Sequence, residues 1–377
     1  MARRVLILGA GFGGLEIATL LSRAAAEEIE VTLIDKGEGF VFGFSKLDVL
    51  FGRAGVADVR IPYAQIDKPG VRVVRETITA IDPEARRVTT DSGSYESEAM
   101  VIALGADYDF DATPGLAAGG HEFYSVPGAE RAAAAVAAFD RGDAVIGVCG
   151  APFKCPPAPS ECALLLDDEL RERGVRDACT ISFVIPFGSP VPPSPETSAA
   201  LEGEFAERGI GLITGRRVAA LDSDRSVAVL DDGRELGFDL FLGVPKHRAP
   251  DVVIASGATE DGFVPVDPAT LRTRFAGVYA VGDVATAGVP KAGVFAEGAG
   301  RIVAQALLAE LLGAEPPGRH LGQGTCYIEF GSGRVASVDI DFLSGPERTG
   351  TFNAPSPAQA AEKEEFGASR RQLWFGA

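Results

Sequence analysis

Histidine is scarce in this chain: three in 377 residues, His121, His247 and His320, scattered through loop-like stretches. The five cysteines include no CxxC spacing. Together these absences leave no ligand set of the kind that zinc sites use. Long apolar runs are missing too, and nothing approaches the ~18 to 20 residues of a membrane-spanning helix. Basic charge is in deficit, with 35 Lys and Arg against 53 Asp and Glu and a net charge of -18. Nucleic acid and anionic lipid both require a cationic surface, so the charge argues against a nucleic-acid partner and against an electrostatic grip on membranes. No repeat of about 20 to 50 residues is visible.

The first apolar run, "VLILGAG", follows Met1-Ala2-Arg3-Arg4 directly. It reads as a strand of the fold, not as the core of a signal peptide, and a cytoplasmic setting is expected. A reducing compartment disfavours a structural disulfide framework among Cys149, Cys155, Cys162, Cys179 and Cys326.

What is present is 46% apolar residues, enough for two cores. Residues 5–35 read as strand, glycine turn, helix and strand. The turn carries Gly9, Gly11 and Gly14 in G-x-G-x-x-G spacing, and Asp35 closes the second strand. That is the dinucleotide fingerprint: Gly9 for the tight turn, Gly11 for close approach of a pyrophosphate, Gly14 for helix packing, and the acid for a ribose. An aromatic, loop-like segment follows at 39–55, then a hairpin-rich stretch at 71–99 and a buried strand at 100–106. A helix is expected at 128–140.

A second strand–turn–helix unit begins at Ala144. Gly147 and Gly150 survive in its turn, but "KCPP" follows, and the next strand (179–187) ends in Ile185-Pro186-Phe187 without an acid. Prolines remove backbone donors that a pyrophosphate would need. The turn therefore presents Cys155 where a nucleotide would lie. The charge of Lys154 and the following helix terminus are expected to favour its thiolate.

A helix at 196–208 and an antiparallel section at 210–244 complete this unit. Residues 262–313 give a strand ending in Gly282-Asp283 and a long helix. Asp283 sits where open α/β sheets meet ligands, although an ordinary helix cap would read the same. A hairpin and a polar tail close the chain. Cys149 and Cys179 read as core, Cys162 as helix packing with a spare thiol, and Glu161 as a cap or solvated helix start.

These motifs resemble the two-dinucleotide-domain flavoproteins of the pyridine nucleotide-disulfide type. Within them they resemble the branch of sulfide:quinone oxidoreductases and flavocytochrome c sulfide dehydrogenases. The resemblance is carried by the glycine turn with Asp35, "VIALGA" (101–106, with Gly105), "GVYAVGD" (277–283), "VPKAG" (289–293), and Cys155 with the distant Cys326 in "GTCYIEFG".

It implies an α/β fold of two Rossmann-like domains, glutathione-reductase-like, with a small C-terminal α+β region. The implied division is 1–110 and 256–318 for the FAD domain, 111–255 for a second domain with a degenerate nucleotide site, and 319–377 for the C-terminal region. FAD is implied to lie across Gly9, Gly11, Gly14, Asp35, Gly105, Gly282 and Asp283. It is expected to be non-covalent, since no cysteine occupies the places where relatives attach it.

Cys155 and Cys326 are implied to be a redox pair that sulfide or a persulfide opens, leaving a thiolate against the flavin. Lys291 would stand beside the flavin pyrimidine or the acceptor. Quinone or another acceptor would take the electrons. Alternatives are a type-2 NADH:quinone oxidoreductase-like enzyme, disfavoured by the missing second fingerprint, and a flavin-bearing electron-transfer subunit. Phe366, Leu373, Trp374 and Phe375 offer a short, marginal contact for a membrane or partner, and a homodimer is compatible with the resemblance.

Overall fold

The apolar runs at 5–8, 31–34 and 99–102 become interior strands of a parallel sheet. Parallel strands covered on both faces carry near-continuous hydrophobic sequence. In the computed structural model, which describes residues 2–376, the sheet order is Val278–Ala280, Ala99–Ile102, Arg3–Leu8, Ile29–Asp35, Val71–Arg75, all parallel. Helices Phe12–Ala25 and Gly293–Leu312 pair closely over this sheet. A Cβ on Gly300 would lie 3.0 Å from the Gly13 carbonyl oxygen, so the crossing depends on small residues.

The second sheet runs His121–Glu122, Leu240–Val244, Gly142–Val148, Cys179–Ile185, Ile210–Thr214, again all parallel. Its topology repeats the first. Apart from the outer edge strands, Val278–Ala280 in the first sheet and His121–Glu122 in the second, which come respectively last and first in the chain, the first strand of each is central, the next two extend to one side, and the fourth returns to the other. Between third and fourth strands each half inserts a three-stranded antiparallel meander, starting at Ile78–Asp82 and at Val218–Asp222. Even the register irregularity recurs, at Ile78/Ala80 and at Val218/Ala220. This duplication leaves no readable repeat in the sequence, because it lies in topology and not in residue identity.

The expected hairpin and polar tail need correction. Three antiparallel strands, Gln323–Gly331, Arg334–Asp341 and Thr349–Asn353, are followed by a helix, Pro357–Phe375. Ser356 caps the helix by accepting from the Gln359 amide. The helix lays its end on the first sheet's core, where Trp374 is fully buried and Phe375 is 7% exposed. The Trp374 indole donates to Glu16 Oε2 at 2.7 Å, and Arg301 donates to Glu16 Oε1 at 3.0 Å.

Phe366 and Leu373 pack against the same cluster. All four residues expected to offer a marginal membrane contact are thus engaged within the protein. No helix among the described residues is long and apolar enough to cross a membrane.

Trp374→Ala removes a fully buried aromatic ring and one of the two side-chain partners of a buried carboxylate. It should lower stability by about 3 to 5 kcal/mol in urea unfolding, whereas a change below about 1 kcal/mol would mean that the helix docks without this contact.

Candidate functional site

A cleft of about 420 Å³ opens at the carboxyl ends of the first sheet, where open α/β sheets place ligands. Gly9 has φ 102°, and a Cβ there would lie 2.4 Å from the Ala103 carbonyl oxygen. A Cβ on Gly14 would lie 2.0 Å from the Gly9 oxygen, so its absence seats the helix on the turn. Gly11 differs, because its Cβ would meet nothing within 4 Å. It faces the cleft, and only a close-lying ligand gives its bareness a purpose. Gly105, with φ 69°, faces equally open space.

The helices beginning at Phe12 and Gly293 have neither a capping side chain nor an acid in the first turn. Their positive ends are left for an anion. Asp35 accepts the Ala10 amide on one oxygen and the Gly37 amide on the other, at 2.8 and 2.7 Å, and each oxygen keeps a lone pair for a ribose hydroxyl. Asp283 Oδ1 is buried without a hydrogen-bond partner, an orphaned acceptor that a sugar or ribitol hydroxyl would satisfy. The donor set, the bare glycines and this orphan together fit an extended dinucleotide such as FAD.

At the far end the cleft is lined by Cys155, Lys291, Lys46, Lys154, Tyr108 and Tyr124. Cys155 adopts φ 47°, and its amide donates to the Lys291 carbonyl at 2.7 Å. Lys154 does not do what its sequence position suggests. Its ammonium donates to the Ala106 carbonyl at 3.0 Å and to the Tyr108 hydroxyl at 2.9 Å.

Burial, with the Glu161 charge added, pushes the Cys155 thiol well above its ordinary value, opposed weakly by Lys46. The expected activation of the thiolate by Lys154 is therefore absent. Lys291 donates to the carbonyls of Asp283 and Ala285, at 2.6 and 3.4 Å, over the Phe263 ring, and burial lowers it to about 8.

Cys326 does not line this cleft. It lines a neighbouring, largely apolar pocket of about 880 Å³ walled by Pro156, Pro157, Phe187, Phe263 and Phe342. Lys291 borders both cavities. The two thiols are free here, and Cys326 lies near enough for its charge to raise Cys155. Cys326 is itself pushed up to about 12 by burial, then by Glu161.

Glu161 is neither a cap nor solvated. It is 2% exposed, accepts the Glu329 amide at 3.0 Å, and is raised by burial to about 7. Cys149, Cys162 and Cys179 are core residues.

The second sheet's glycines are consumed by packing. A Cβ on Gly147 would lie 2.5 Å from the Phe241 ring, and one on Gly150 would lie 2.9 Å from Lys246 Cβ. Where a ribose-binding acid would stand, Phe187 stacks on Phe153 with centroids 5.7 Å apart.

The place of Lys46 in the cleft lining and the burial of Glu161 escaped sequence reasoning. The available signal was scarcity, since only 7 of the 35 basic residues are lysine, and three of those line this one cleft. The segment read as loop also folds locally, as helix Ser45–Leu50, which sets Lys46 on the cleft wall.

The sequence matches the pyridine nucleotide-disulphide oxidoreductase family over residues 3–153 and 188–303. It is 24% identical over 367 residues to the mitochondrial sulfide:quinone oxidoreductase of Mus musculus, covering 93% of this chain and 80% of that protein. To the sulfide-quinone reductase of Aquifex aeolicus it is 27% identical, covering 82% and 77%. The solved sulfide:quinone oxidoreductase of Aquifex aeolicus superposes with a TM-score of 0.89 at 22% identity, over 100% of this chain and 92% of that one. A type II NADH:quinone oxidoreductase of Staphylococcus aureus is 36% identical, but over 27% of this chain and 26% of its own. The glycine turn, the cleft and the breadth of these matches agree: the chain belongs to the pyridine nucleotide-disulphide oxidoreductase family and is an FAD-binding oxidoreductase.

Proposed function

We propose that this enzyme oxidises sulfide, or a persulfide, through Cys155 and Cys326 and passes two electrons by way of FAD to a quinone or another acceptor. One observation carries the reading: Cys155 lines the cofactor cleft while Cys326 lines the adjoining apolar pocket. The pair thus stands on the boundary between a substrate space and a cofactor space. The family relatives named sulfide:quinone oxidoreductase support the substrate and acceptor classes.

In the oxidised pair, Cys155 and Cys326 share a disulfide. Hydrosulfide arriving through the pocket attacks Cys326 Sγ. The S–S bond breaks, Cys326 becomes a persulfide, and Cys155 takes the bonding pair as a thiolate facing the cleft. FAD supplies a two-electron acceptor there. When the Cys155 thiolate closes on the Cys326 persulfide, two electrons and one proton leave, and one sulfur atom remains between the cysteines for a later nucleophile to remove.

Glu161 is proposed to take that proton. It is buried, its charge is felt by both thiols, and burial raises its pKa to about 7. Lys291 puts a positive charge between the two spaces, matched to a reduced, anionic cofactor. Non-covalent FAD is supported by the cleft lining, in which Cys155 is the one cysteine.

Anaerobic mixing of the yellow protein with sulfide should bleach the flavin band, and NADH should not. Bleaching by NADH alone would replace this reading with an NADH-oxidising one. Cys155→Ser and Cys326→Ser should each lose sulfide-driven bleaching by at least ~100-fold while retaining FAD; normal rates in both would end the proposal.

Glu161→Gln should slow bleaching by roughly 10- to 100-fold. In the wild type the rate should rise with pH as the Glu161 carboxylate ionises near 7. The variant should lose that step and keep only the pH dependence of the substrate, so identical profiles would remove Glu161 from the chemistry.

A further inference from the structure

Three tyrosines line the cofactor cleft, Tyr63, Tyr108 and Tyr124. A phenol has one proton to donate, and two of the three spend it on the protein. Tyr63 donates to the Ala10 carbonyl at 2.9 Å, and Tyr124 donates to the Cys155 carbonyl at 3.5 Å. Tyr108 is used the other way round. Its oxygen accepts from the Lys154 ammonium at 2.9 Å, and the same ammonium donates to the Ala106 carbonyl at 3.0 Å. Burial lowers Lys154 to about 8, so it is still charged at neutral pH. An ammonium cannot accept, so the Tyr108 proton points elsewhere. Among the described residues no hydrogen bond receives it.

The ring has little freedom to turn away. Strand Asp107–Asp109, which leaves the first sheet, pairs antiparallel with strand Lys246–Arg248, which leaves the second, and sets Tyr108 opposite His247. The two rings meet edge to face with centroids 4.9 Å apart. His247 is fully buried and donates from Nδ1 to the Pro245 carbonyl at 2.8 Å. Its Nε2 has no hydrogen-bond partner, so the Tyr108 proton does not go there. What remains in front of the hydroxyl is the cleft.

Asp35 and the glycine turn suit the adenosine end of a dinucleotide, which puts the electron-accepting ring of FAD toward Cys155 and its neighbour Lys154. The nitrogens and carbonyl oxygens of that ring are acceptors in search of donors.

We propose that Tyr108 is a catalytic residue whose hydroxyl, held by the Lys154 ammonium, donates a hydrogen bond to the electron-accepting ring of FAD and favours its reduced form. Lys154 is the positioning residue: it fixes the direction of the hydroxyl and polarises it from behind. The bond strengthens when the ring gains negative charge, because hydrogen bonds to an ionised partner are roughly twice as strong as neutral ones. No atom is transferred, and the proton stays on Tyr108. The inference rests on FAD occupying this cleft and is independent of the sulfur chemistry.

The reduction potential of the FAD-loaded protein is measured by anaerobic dithionite titration against a redox dye, in the wild type, Tyr108→Phe, Lys154→Met and Lys154→Arg. Tyr108→Phe keeps the ring on His247 and removes the hydroxyl alone. At a fixed poise its ratio of reduced to oxidised FAD should fall about tenfold, a drop of about 30 mV for a two-electron couple. Lys154→Met should fall at least as far, while Lys154→Arg, which keeps a cationic donor, should stay near the wild type.

Titration of the apoprotein with each form of FAD reads the same quantity through binding. Tyr108→Phe should weaken binding of reduced FAD about tenfold more than that of oxidised FAD. Equal weakening of the two forms, or an unchanged potential in Tyr108→Phe, would overturn the proposal. So would a fall confined to Lys154→Met, which would assign the effect to the lysine charge alone. Because dithionite supplies the electrons, a failure of sulfide to bleach the flavin would end the sulfide reading and leave this result standing.

Discussion

One backbone hydrogen bond, from the Cys155 amide to the Lys291 carbonyl, ties the Cys155 turn to the edge of the cleft. It joins the turn after the second sheet's central strand to the turn before helix Gly293–Leu312. To make it, Cys155 takes a left-handed conformation unusual for a residue with a side chain, a strain on the order of 1 to 3 kcal/mol that persists only where surroundings enforce it. Lys154, one residue before it, donates to the Ala106 carbonyl and the Tyr108 hydroxyl. Position in the chain and position in the charge field are thereby separated.

The two halves repeat one topology down to the register shift in their meanders, yet they have diverged at their glycines. In the first half, Gly11 and Gly105 are bare toward open space. In the second, Gly147 and Gly150 are bare because protein atoms already occupy the space. The test that separates a binding turn from its vestige is thus what the missing side chain would touch. Pro156, Pro157, Phe153 and Phe187 line the apolar space that reaches Cys326.

Much of this was legible in the sequence where the signal is local. The Gly9-Gly11-Gly14 turn, Asp35, and the strands at 5–8 and 99–102 follow from turn chemistry and hydrophobic runs; the strands form the sheet, and Gly9, Gly11 and Asp35 line the cleft. What was not legible depends on contacts distant in the chain. The third C-terminal strand is short and polar, and the last helix has only a weak apolar stripe, so neither announces itself; the strand is held by pairing with Arg334–Asp341, and the helix by partners such as Glu16, more than 350 positions from Trp374. The Lys154–Cys155 pair was misread because the ammonium is engaged by Ala106 and Tyr108, which lie more than 40 positions away in the chain.

The closing helix has one further consequence. Trp374 is the protein's single tryptophan, and it is sealed against Glu16 and a cluster that includes Phe12, Phe40 and Phe42. Phe12 and Phe40 also line the cofactor cleft. Intrinsic tryptophan emission is therefore an unlabelled optical gauge of one junction alone. It reports through its colour whether the C-terminal helix is seated, and through energy transfer to the neighbouring yellow chromophore whether the cleft beside it is filled.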